Sequence, residues 1–92
     1  MTRARVQVHY AGRVQGVGFR YTVKSLVTGF EVVGTVRNLA DGRVELIVEG
    51  AKPELEAFLQ AVRESGVGGL IADESAAWSN PRGEFCGFEI IG

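Results

Sequence analysis

Between Arg5 and Ala11 apolar and polar side chains alternate, with Val6, Val8 and Tyr10 on one face and Gln7 and His9 on the other. That period of two predicts a half-buried strand. A glycine-rich stretch follows, and then the period changes. Val23, Leu26, Val27 and the trailing Phe30 stand at helical spacing, which predicts a helix from about Phe19 to Thr28 stopped by Gly29. Extended patterning returns over Val32 to Asn38 and over Arg43 to Glu49, with Asp41-Gly42 between them supplying the turn chemistry of a hairpin. The second helix has the clearest pattern. Pro53 suits a first helical position, Glu54 and Glu56 sit near the positive end of the helix dipole, and Leu55, Phe58, Leu59 and Val62 form one apolar stripe before Ser65-Gly66. Two weaker extended segments, Gly69 to Ala76 and Phe85 to Ile91, flank the turn signal Asn80-Pro81.

The order strand-helix-strand, hairpin turn, strand-helix-strand, plus a C-terminal strand predicts an α+β sandwich of the ferredoxin-like type. Two helices would cover one face of a mostly antiparallel sheet, in a single domain over residues 1–92. The crossover makes the first two strands parallel, so both carboxyl ends emerge at one edge, with the third strand antiparallel between them. The loop Gly12 to Arg20 leaves one of those ends and Asn38 closes the other. Two strand spacings separate them by roughly 10 Å, so positions 20 and 38 become candidates for one site.

The loop reads GRVQGVGFR. Gly16 and Gly18 remove the Cβ atoms that obstruct a backbone curling around an oxyanion, and they permit consecutive amides to converge. The free N–H groups and dipole of the following helix add positive potential, and the planar fork of Arg20 can hold two oxygens at once. The pattern is neither a Walker loop nor a dinucleotide fingerprint, because no Gly-Lys-Ser/Thr follows and Tyr21 stands where a third glycine belongs. On local chemistry alone, a flexible strand-to-helix connection with an exposed arginine fits it equally well. Asn38, close before Asp41-Gly42, also fits a plain turn former.

Composition narrows the partners. Ten basic against eleven acidic residues give a net charge of −1, which argues against a nucleic-acid partner that would need counterion-displacing cations. No apolar run approaches the roughly 20 residues of a membrane helix, and no charged-then-apolar leader opens the chain. The single cysteine, Cys86, rules out an internal disulfide and suits a cytoplasmic setting. Cys86 reads as a packing residue beside a C-terminal strand, and His9 as a sheet histidine. Neither has companions that would make a metal cluster, so no metal or cofactor is expected.

GRVQGVGFR together with GTVRNLADGRVE closely resembles the signature of the acylphosphatases, small cytoplasmic enzymes that hydrolyse carboxyl-phosphate mixed anhydrides. The likeness runs from about Val6 to Ile90 and includes the ending GEFCGFEI. Thr35 departs from the Trp or other bulky residue common there, and VKSLVTGFEVVG is more apolar than the family's charged version. The resemblance implies a phosphate loop of backbone amides around Gln15, Gly16, Val17, Gly18 and Phe19. It implies Arg20 as the substrate-binding arginine and Asn38 as the group that positions the attacking water.

Acyl phosphates suit so spare a site. Their carboxylate leaving group needs no donated proton, so charge compensation and an in-line water carry the chemistry without a general acid. The expected reaction is metal-independent hydrolysis of a small-molecule acyl phosphate by a monomer. The rival expectation is a small-anion-binding or sensor domain that uses the same cradle without turnover. Related motifs also occur within larger hydrogenase-maturation proteins, but this chain has no room for their companion domains and reads as a freestanding enzyme.

Overall fold

The face that alternation assigns to the core is the face that loses contact with water. Val6, Val8 and Tyr10 are fully buried, as are Val36, Val44, Leu46 and Val48. The computed structural model describes residues 2–92 and orders them as β1 (Arg3–Gly12), α1 (Phe19–Val27), β2 (Val32–Asn38), β3 (Val44–Ala51), α2 (Lys52–Glu64), a short 3-10 turn (Gly68–Leu70), β4 (Ile71–Ser79) and β5 (Phe88–Ile91). The strands form one sheet in the order β4-β1-β3-β2-β5. All neighbours are antiparallel except β2 and β5. This is the ferredoxin-like α+β arrangement with an added C-terminal strand.

Both helices cover the same face. Phe19 and Val23 from α1, and Leu55, Phe58, Leu59 and Val62 from α2, close over the sheet valines. Phe58 is the hub, with ring centroids 5.5 Å from Phe30 and 6.5 Å from Phe88 in edge-on geometry. Helix α1 runs back over β2 and β5, so its first turn lies at the edge where β1 and β2 end. The register sharpens that placement: Val44 of β3 pairs with Tyr10 on one side and Asn38 on the other. Residues directly opposite in antiparallel strands project to one side. Asn38 therefore shares the helix-covered face with the buried Val36, two residues earlier.

Strands β1 and β3 differ from expectation by at most two residues at either end, and β4 and β5 by as many as three. Strand β4 begins later than Gly69 because Gly68 and Leu70 donate to the Ser65 and Val67 carbonyls in a 3-10 turn, and it continues to Ser79 because β1 offers a partner as far as Arg5. Strand β5 starts at Phe88 instead of Phe85 because residues 81–87 cross the open face of the sheet. There the Glu49 carboxylate accepts hydrogen bonds from the Arg82 and Gly83 backbone N–H groups at 3.0 and 3.1 Å, and from Arg5 Nη1 at 2.7 Å. The Arg5 guanidinium also lies 5.4 Å from the centre of the Phe85 ring. Cys86, expected to pack, rides on this crossing segment and is exposed. Thr35 lines a cleft of about 230 Å³ beneath the same segment.

Arg5 and Glu49 form a buried ion pair, with side-chain exposures of 9% and 1%. Burial alone would raise the Glu49 carboxyl, but the Arg82 amide, the Arg5 guanidinium and the Gly83 amide outweigh it and hold the group below the ordinary value of 4.5. On the same face burial would likewise raise Glu45, and its bonds from Arg37, Gln7 and His9 outweigh that and hold it low as well. A depressed carboxylate contributes stability that is full above its unfolded value and is lost as pH falls through the folded one. Thermal melts are therefore expected to show a melting temperature that declines below about pH 4.5. A temperature that stays flat down to about pH 3 contradicts this coupling. Glu49→Ala leaves the buried Arg5 guanidinium with only the exposed Glu84 carboxylate at 3.4 Å, and is expected to cost about 3 kcal/mol in urea unfolding.

Candidate active site

The loop from Gly12 to Arg20 is held by the Arg13 backbone and by the side chains of Val14, Gln15 and Phe19. The Arg13 N–H donates to the Leu70 carbonyl at 3.0 Å. Val14 and Phe19 are each 1% exposed and plug into the core, with Phe19 stacked at a tilt on Tyr10, centroids 5.1 Å apart. The Gln15 carboxamide reaches sideways across the sheet edge, where Nε2 donates to the Leu39 carbonyl at 2.8 Å and to the Arg43 carbonyl at 2.9 Å. Between these anchors Gly16, Val17 and Gly18 stand exposed.

Backbone sign alternates through that segment. Gly16 and Gly18 have φ of 74° and 82°, and no non-glycine residue has positive φ among the described residues. Alternation of this kind turns successive N–H groups toward one concave side, the geometry of an anion nest. A Cβ at either glycine would meet nothing within 4 Å, so conformation, not space, requires glycine at both.

Gly18 is also the N-cap of α1, with no side-chain cap and no acidic residue in the first turn. The first turn of any helix leaves its N–H groups without intrahelical acceptors. Here the first helical bond is Thr22 N–H to Gly18 O at 3.0 Å, and from Val14 to Tyr21 no backbone N–H finds an acceptor among the described residues. The free donors thus run past Phe19, the last loop residue expected in the cradle, to the first-turn N–H groups of Arg20 and Tyr21, as the expected helix start implied. The helix start at Gly18 is the signal that carries them. An uncapped, acid-free helix end adds a partial positive charge worth some 0.3–1 kcal/mol to an anion placed there.

Arg20 follows directly. Its side chain is half-buried, and it makes no ion pair and no side-chain hydrogen bond among the described residues. Arg5, Arg37, Arg43 and Arg63, by contrast, each engage a carboxylate. Asn38 lies across the edge, on the face that α1 covers. Its Oδ1 is buried and has no hydrogen-bond donor among the described residues. A buried acceptor left in that state costs about 1–3 kcal/mol, which a donor from a bound molecule relieves.

The structure therefore brings Gly16, Val17, Gly18, Phe19, Arg20 and Asn38 to one edge and one layer of the fold. It commits two of the sequence candidates differently. The Phe19 ring belongs to the core and only its N–H remains available. The Gln15 side chain is spent on the β2–β3 turn, and only its N–H, without an acceptor among the described residues, remains available. Among the described residues no three His, Cys, Asp or Glu side chains gather in a way that would hold a metal ion. Nor is any helix among the described residues long and apolar enough to cross a membrane. The arrangement as a whole gathers free donors and a cation without a carboxylate at the edge where the Asn38 Oδ1 is buried without a partner, and on the same face the buried Tyr10 hydroxyl also lacks one among the described residues. It can compensate negative charge on one side and orient an O–H on the other.

A family model for acylphosphatase matches residues 6–90. The chain is 36% identical over 89 residues to the acylphosphatase of Thermobifida fusca (strain YX), covering 97% of this chain and 98% of that one. It is 35% identical to the acylphosphatase of Thermococcus kodakarensis over the whole of both chains. The crystal structure of acylphosphatase from Bacillus subtilis superposes with a TM-score of 0.88 at 34% identity, covering 97% of this chain and 99% of that one.

Gly18→Ala is expected to cost about 1 kcal/mol in urea unfolding, because alanine must adopt the left-handed conformation although it has room there. An unchanged midpoint shows that the loop does not hold this conformation in solution.

Proposed function

The chain belongs to the acylphosphatase family, enzymes that hydrolyse acyl phosphates, and from that membership we propose how its residues perform the reaction. The phosphoryl group sits in the loop, where the N–H groups of Gly16, Val17, Gly18 and Phe19, with those of Arg20 and Tyr21 at the helix start, surround its oxygens. The Arg20 guanidinium grips two of those oxygens. Asn38 Oδ1 accepts a hydrogen bond from the attacking water and directs its lone pair toward phosphorus. The observation that carries this reading is the run of backbone donors from Val14 to Tyr21 without acceptors among the described residues, closed by an arginine that pairs with no carboxylate among them.

In the reaction water oxygen bonds to phosphorus while the bond from phosphorus to the acyl oxygen breaks, and that electron pair departs with the carboxylate. The proton of the water passes to a phosphoryl oxygen, so a dianionic acyl phosphate and water yield a carboxylate and dihydrogen phosphate. The leaving group is stable without protonation. Preorganised donors and an oriented water are then sufficient, and no general acid or metal need take part. A carboxylate base would repel the dianionic substrate, and none of Arg20, Asn38 or the loop residues supplies one. The donors are already ordered before substrate arrives, which spares the transition state the cost of arranging them.

Release of inorganic phosphate from acetyl or benzoyl phosphate is the direct assay. Arg20→Ala is expected to lower kcat/KM by about 10²-fold or more through both binding and turnover. Asn38→Ala is expected to lower kcat by about 10²-fold with KM little changed, because the water is oriented only on the way to the transition state. Full turnover by the Asn38 variant removes the proposed water role. Inorganic phosphate is expected to inhibit competitively, and a chelator to leave the rate unchanged. Activity lost to chelator and restored by a divalent cation overturns the metal-free scheme. Phosphate binding with no phosphate release establishes an anion-binding module instead.

A further inference from the structure

We infer that Gln15 is a positioning residue that sets the distance between the cradle and Asn38. Its effect on turnover runs through the β2–β3 turn and not through contact with substrate. This rests on the reading of Asn38 as the group that orients water.

Both Nε2 protons of Gln15 are used, one on the Leu39 carbonyl at 2.8 Å and one on the Arg43 carbonyl at 2.9 Å. Those carbonyls belong to a closed circuit. Leu39 N–H donates to Arg43 O at 2.8 Å, and Gly42 N–H donates to Leu39 O at 3.2 Å. Gln15 is thus plugged into the turn at its neck, one residue beyond Asn38. On its own side it is one residue before Gly16, where the left-handed alternation begins. No other side chain of residues 13–20 hydrogen-bonds across the gap between the loop and the end of β2 among the described residues.

The chemistry of the side chain is specific. The acceptors are two carbonyl oxygens, so the bridging group must offer two N–H donors from one atom without carrying charge. A carboxamide does so. A carboxylate of the same shape offers none and sets negative charge against both oxygens. A displacement of about 1 Å between a nucleophile and a held phosphoryl group is enough to cost about 10²-fold in rate. A tether with both protons engaged restrains displacement of that size better than exposed loop backbone alone.

The test is a double-mutant cycle with acetyl phosphate, in which kcat, KM and the inhibition constant of inorganic phosphate are measured beside thermal melts. Gln15→Ala is expected to lower kcat between about tenfold and 10²-fold while phosphate inhibition shifts by less than about threefold. In the Asn38→Ala background the same change is expected to remove little further activity, because the misplaced group is already gone. Gln15→Glu adds a signature that a merely structural role does not produce. Its carboxyl, raised by the facing carbonyls, regains one donor on protonation, so kcat climbs as pH falls below neutral. That climb lies above the range in which Glu45 and Glu49 lose their charge. Equal losses from Gln15→Ala in both backgrounds overturn the inference. So does a lower melting temperature with kcat unchanged, or a Gln15→Glu pH profile of wild-type shape. Should Gln15→Ala fail to fold, the pH profile of Gln15→Glu decides alone. If Asn38→Ala retains turnover, the water role itself fails. If Asn38→Ala loses turnover and Gln15→Ala does not, the positioning role alone fails.

Discussion

A shared register partner organises the functional edge. Val44 faces Tyr10 of β1 on one side and Asn38 of β2 on the other, and the glycine loop and first turn of α1 are hung from the same end of β1. In a sheet the side-chain period is two, so a slip of one residue in either pairing sends Asn38 to the opposite face, away from the helix that begins at Gly18. The buried row of Val36, Leu46, Val48, Val8 and Val6 resists that slip. Each of those side chains would have to trade the core for water. Core packing therefore sets the position of a polar side chain that has little packing of its own.

The two faces of the sheet treat polar groups in opposite ways. On the open face each buried charge is answered. Glu49 is met by Arg5 and two backbone amides, and Glu45 by Gln7, His9 and Arg37. The Glu49 bonds from the Arg82 and Gly83 amides also hold down the segment that carries the chain from the β4 edge to the β5 edge. At the carboxyl edge of the helix-covered face, donors from Val14 to Tyr21 and the Oδ1 of Asn38 go unanswered among the described residues. A small domain has modest stability to spare. Such groups persist where the surrounding fold over-determines them, and Val14, Phe19 and the Gln15 bridge do so here. The proposed acyl phosphate supplies the missing partners from outside the chain. That division also explains why one face reads as a stability device and the other as a site.

Much of this was legible along the chain. Regular alternation located β1, β2 and β3, and the stripe of Leu55, Phe58, Leu59 and Val62 located α2, because burial on one side imposes a period that local residues must obey. The motif residues from Gly16 to Arg20 and Asn38 were legible through their resemblance to the acylphosphatases, and membership of that family follows from comparison over nearly the whole length. The limits of β4 and β5 were not legible. Those of β4 depend on the 3-10 turn before it and on β1 partners as far as Arg5, and the start of β5 depends on Glu49 drawing residues 82 and 83 across the sheet, more than thirty positions away along the chain. Cys86 was misjudged for the same reason, since it lies in a segment whose course is set by a distant carboxylate.

Residue order alone was enough to establish the fold class, with β1 and β2 flanking β3, and the glycines that permit a left-handed backbone, and to suggest Arg20 and Asn38 as neighbours at one edge. These are matters of period, turn chemistry and chain connectivity, all of them local or nearly so. The folded molecule settled which charges are neutralised and which are left over, and where the Gln15 carboxamide goes. Pairing in space follows from packing between residues far apart in sequence, and no local pattern encodes a hydrogen bond from position 15 to positions 39 and 43.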